Sequence, residues 1–117
     1  SFFDLYAHRM VRVSTCVPRV ALGDPVANAR AIARMFDAET SASVRAAVVV
    51  FPELCVTGYA LDDLHQQDVV LDEALDALRW LRDRTLRRSS DDDDSGTTTR
   101  QSALLVVGAP VRVAGRL

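Results

Sequence analysis

Apolar residues cluster along this chain in short runs separated by one long helical pattern and one shorter one. Residues 10–17 alternate, with Val11, Val13, Thr15 and Val17 on one side and Arg12, Ser14 and Cys16 on the other. That period of two predicts a first strand. After a connection from Pro18 to Gly23, Asp24 and Pro25 form a helix start, an acidic cap followed by proline at the first helical position. Val26, Ala29, Ile32, Ala33 and Phe36 then recur at helical spacing and predict a stripe packed on a sheet. Residues 45–51 end in Val48-Val49-Val50-Phe51, an unbroken apolar run that reads as a buried strand. From Asp62 the pattern turns helical, most clearly at Leu71, Ala74, Leu75, Leu78 and Leu81, with a possible break near Gln67-Asp68. Leu104-Leu105-Val106-Val107 predicts a third buried strand, stopped by Gly108-Ala109-Pro110. Strands alternating with helices imply an α/β fold with parallel strands and right-handed crossovers.

Between the second helix and the third strand, residues 87–100 hold Asp91 to Asp94 among serines, threonines and arginines, with no periodic apolar position. Such a stretch has little to bury against its ordering entropy, so a flexible surface insertion over about 87–102 is expected. A run of like charges without fixed geometry is a poor cation site, and no metal is expected there. The neighbouring Arg79, Arg82, Arg84, Arg87 and Arg88 offset the acidic run and the helix C-terminal dipole.

The 117 residues suffice for one domain or a piece of one, and both ends fall in strand-rich sequence, which suggests a piece. No apolar run approaches a membrane span and the start lacks a signal-peptide pattern, so a cytoplasmic location is expected. A net charge of -2, without interleaved basic and aromatic residues, argues against a nucleic-acid binder. Cys16 and Cys55 lie in apolar surroundings and read as small buried hydrophobes. His8 and His65 have no nucleophile at a motif spacing. All fourteen basic residues are arginine, so a catalytic lysine cannot come from these residues.

Chemistry concentrates at Phe51-Pro52-Glu53. Proline ends the ladder, which puts Glu53, one of three glutamates, at the carboxyl end of a core strand. Open α/β sheets bind ligands at that end. A carboxylate facing solvent in a strand-to-helix loop is the competing reading of the same position.

Phe51-Pro52-Glu53-Leu54 with Thr57-Gly58-Tyr59 resembles the carbon–nitrogen hydrolase (nitrilase) superfamily. More narrowly, it is similar to the glutamine-amidase domain that opens glutamine-dependent NAD+ synthetases. Tyr6, His8 and Val11-Arg12-Val13 fall in family order, as do Gly23-Asp24-Pro25 with Asn28, Asp62-Asp63-Leu64, Gln67-Asp68 and Val106-Val107-Gly108-Ala109-Pro110. The resemblance implies an αββα sandwich of two sheets, of which residues 1–117 would form the N-terminal portion. It also implies a Glu–Lys–Cys triad in which Glu53 is the general base, with the lysine and cysteine beyond Leu117. Cys55 stands on the wrong side of Glu53 for the family's nucleophile. Tyr59 would line the glutamine pocket or the ammonia path, or serve only as a half-buried loop aromatic.

On this resemblance the substrate is L-glutamine, and this chain carries no cofactor. The resemblance further implies that ATP, Mg2+ and nicotinic acid adenine dinucleotide would belong to a separate synthetase domain, and that the intact protein would be a homo-oligomer. A stand-alone amidase or nitrilase-like hydrolase, and a non-catalytic structural segment, are the alternatives. The 117 residues alone are expected to be inactive.

Overall fold

The computed structural model describes residues 8–41, 43–53, 55–57, 68–91 and 103–111. They fold as β1 (Val13–Thr15), α1 (Pro25–Glu39), β2 (Val48–Val50), α2 (Asp68–Asp91) and β3 (Leu104–Val106). The strands form one parallel sheet in the order β1-β2-β3, with Val13, Val48 and Leu104 in register. The fold is therefore α/β with alternating strands and helices, and no second sheet occurs among the described residues.

The regular strands are shorter than their apolar runs, although the hydrogen bonding continues past them. Ala47 N–H donates to Arg12 O at 2.8 Å, Cys16 N–H to Val50 O at 2.8 Å and Phe51 N–H to Val106 O at 2.9 Å. Asp24 caps α1 as its sequence implies, its Oδ1 accepting from Ala27 N–H at 3.1 Å. Gly23, just before the cap, takes φ 67°, a left-handed conformation that glycine adopts without steric cost.

Both helices cover the same sheet face. Ile32, Ala33 and Phe36 of α1 and Ala74, Ala77 and Leu81 of α2 join Val49, Phe51 and Cys55 in one core, with Leu105 packed against it. Crossovers of one hand, stepping in one direction across a sheet, place successive helices on one side. Arg84 ties the helices, its guanidinium donating to Asp37 Oδ2 at 2.7 Å and lying 5.6 Å from the Trp80 ring centre.

Two stripe positions differ from their expected place. Val26 is exposed, because Pro25 and Asn28 turn inward and set the phase of α1. Leu75 is also exposed, and Ala77 takes the buried place in α2. The helix itself continues to Asp91, past the point where the insertion was expected to open, and residues 92–102 lie outside the described set.

The two faces of β1 separate as the alternation requires, but the more apolar face is the open one. Val13 is 52% exposed and Leu104 60% exposed, whereas Ser14 points toward the helices and donates to Glu39 Oε2 at 2.8 Å. That hydrogen bond lets a polar side chain sit beneath α1 without an unsatisfied hydroxyl.

Candidate functional site at the carboxyl ends of the strands

Three connections converge beyond the carboxyl ends of the strands: residues 16–24 after β1, 51–53 with 55–57 after β2, and 107–111 after β3. β2 is central, so the segment that leaves it is flanked on both sides. Glu53 stands in the first turn of that segment, one residue past Pro52, with an exposed side chain. The expected location at a strand end is present. The described residues do not enclose the carboxylate in the desolvated setting expected of a base.

The turn is built from backbone bonds. Cys55 N–H donates to Pro52 O at 3.2 Å, and Val56 N–H to Gly108 O at 3.4 Å. On the β1 side, Gly23 N–H donates to Thr57 O at 3.1 Å. Asn28, from the first turn of α1, reinforces that side. Its Nδ2 donates to Val56 O at 2.7 Å and to Ala21 O at 2.8 Å, and its Oδ1 accepts from Ala21 N–H at 2.7 Å. Only 3% of Asn28 is exposed, and its bond to Val56 O is buried, where an unmade one is expensive.

On the β3 side the contact is steric. Any side chain at position 108 would overlap the Glu53 carbonyl and bring its Cβ to 2.6 Å from the Glu53 Cα. Glycine is what permits that approach. Asn28 and Gly108 had no separate role in the sequence reading. A polar residue at a buried helix position and a glycine closing an apolar strand were the available signals.

Cys55 is fully buried beneath the turn, with its Sγ 3.7 Å from Gly108 O, a weak donor contact. Burial pushes the thiol above its ordinary pKa, and backbone hydrogen bonds only partly counter that. Cys16 is raised as well, first by burial and then by the nearby Glu39 charge. Both cysteines are free, and neither is poised as a thiolate. His8 is exposed before β1. Tyr59, Gly58 and His65 lie outside the described residues. Among the described residues, no group of three or more His, Cys, Asp or Glu side chains could hold a metal ion, and no helix is long and apolar enough to cross a membrane.

No family model matches the chain. Curated proteins do match it. Across all 117 residues, the chain is 37% identical to the "Glutamine-dependent NAD(+) synthetase" of Mycobacterium tuberculosis, and equally to that of Mycobacterium bovis. The chain matches glutamine-dependent NAD(+) synthetases. The Mycobacterium leprae synthetase agrees at 30% identity over 116 residues. In each case the chain spans about 15% of the synthetase's length. The match to these synthetases includes the Glu53 turn and both loops that hold it, because it runs through the whole chain.

Proposed function

We propose that this chain is part of the glutamine-hydrolysing domain of a glutamine-dependent NAD+ synthetase, and that Glu53 is its general base. Similarity along the entire chain to the mycobacterial synthetases carries the reading. The position of Glu53, on the turn leaving the central parallel strand, supports it.

Glutamine hydrolysis through a cysteine needs a group that takes the thiol proton, because an ordinary thiol with pKa about 8.5 is mostly protonated at neutral pH. On this reading Glu53 accepts that proton from a cysteine outside residues 1–117. The sulfur attacks the carboxamide carbon and the C–N bond breaks. Glu53 gives the proton to the departing ammonia, then takes one from the water that attacks the thioester and passes it to the cysteine sulfur as the C–S bond breaks and glutamate leaves. A lysine, also supplied from elsewhere, stabilises the oxyanion. Tyr59 is assigned to the glutamine pocket or the ammonia path. The uncovered sheet face becomes the inner face of an αββα sandwich, and the second sheet shields the site from water.

The ammonia then serves amidation of nicotinic acid adenine dinucleotide to NAD+. ATP and Mg2+ are assigned to a separate synthetase domain.

Glu53→Gln in the intact protein tests the assignment. Glutamine-supported NAD+ formation should fall by about 100-fold or more, the contribution of a positioned acid–base group. NAD+ formation from added ammonia should persist. Survival of both activities would remove Glu53 from the role of base. Absence of glutamine-supported synthesis in the unaltered protein would remove the synthetase reading itself.

A further inference from the structure

The carboxylate of Glu53 is exposed, yet the backbone that carries it is held from both flanking loops. Asn28 uses both amide hydrogens and its oxygen to join Ala21, in the β1 connection, to Val56, three residues after Glu53. This fixed, three-point use of a planar amide sets the distance between the two loops. An aspartate there would turn an oxygen toward two carbonyls, and an aliphatic side chain would leave all three backbone groups without this partner. Gly108 works from the opposite side by shape, since its missing Cβ leaves the space that the Glu53 carbonyl occupies. Its own carbonyl accepts from Val56 N–H at 3.4 Å, so both contacts converge on the same short turn.

We propose that Asn28 and Gly108 are positioning residues for Glu53, clamping its turn between the β1 and β3 loops so that the carboxylate is aimed before substrate arrives. The proposal rests on Glu53 acting as the base. Neither residue touches the reacting atoms. Their contacts fall on the backbone of Glu53 and Val56, and aiming of this kind is where a displacement near 1 Å costs about 100-fold in rate.

The experiment uses the intact protein with Asn28→Ala and Gly108→Ala, each made alone and in combination with Glu53→Gln. Each single variant should lower kcat for glutamine-supported NAD+ formation by about 100-fold while KM for glutamine and ammonia-supported synthesis stay within about twofold. Added to Glu53→Gln, each should cause little further loss, because residues acting through one group are not additive. Leu81→Ala, a core truncation in α2, provides the comparison. It should lower the melting temperature while leaving kcat near that of the unaltered protein at temperatures below the transition.

Wild-type-like glutamine turnover in either variant would overturn the proposal. So would a full additional loss in the Glu53→Gln background, which is the signature of a general folding defect. These outcomes stay separate from a failure of the functional reading, in which Glu53→Gln alone leaves glutamine-supported synthesis intact.

Discussion

Glu53 and Cys55 stand two positions apart and meet different solvent. The turn points one side chain outward and closes over the other. Cys55 belongs to the core, so thiol-alkylating reagents should label neither it nor Cys16 in the folded protein at neutral pH and should label both after denaturation. Peptide mapping by mass spectrometry reads the result, and rapid labelling of Cys55 in the native state would contradict its burial. Its raised pKa also has a stability consequence. The folded state favours the protonated thiol, so this contribution is fully present below the unfolded value of about 8.5 and is lost as pH rises through the raised folded value. Urea midpoints should therefore decline above about pH 8.5, and the decline should be shallower in Cys55→Ala. At this scale the candidate base and the packed cysteine were legible from sequence. The partners of Asn28 and Gly108 were not, because Val56 and Glu53 lie 28 and 55 residues away along the chain.

Among the elements, α1 shows how much local chemistry decides and where it stops. Asp24 and Pro25 start the helix where their side chains allow it. Asp24→Ala should cost about 1 kcal/mol, measured as a shift in the urea unfolding midpoint. An unchanged midpoint would mean that the cap bond contributes nothing net. The rotation of the helix is less local. Val26 would be buried on hydropathy alone, but it sits at the edge of the stripe, and Asn28 turns inward to reach two loops. The strands shorten for a similar reason. Apolar runs mark where a ladder is possible, while the regular ladder extends only where β1, β2 and β3 overlap in register.

For the whole molecule, the open sheet face dominates. Val13, Leu104 and Val106 are exposed on one side of a sheet whose other side is filled by α1 and α2. An apolar surface of this kind favours association. The 117-residue chain prepared alone should bind a hydrophobic dye and elute above its 12.8 kDa monomer mass in size-exclusion chromatography. Leu104→Lys should reduce both effects. A clean monomer without dye binding would show that this face is satisfied without further protein.

By itself, the sequence determined the alternation of strands and helices, the helix start at Asp24, the burial of both cysteines and the candidacy of Glu53. Each follows from side chains acting on their near neighbours: period, capping, proline and polarity. Only the tertiary structure decided which face of β1 meets the helices, where α1 points its asparagine, and that Gly108 leaves room for the Glu53 backbone. Those are contacts between distant segments, set by packing in three dimensions, and no local pattern encodes which segment will arrive. Glu53 is therefore readable as a residue in the sequence, while the clamp around its turn exists only in the folded chain.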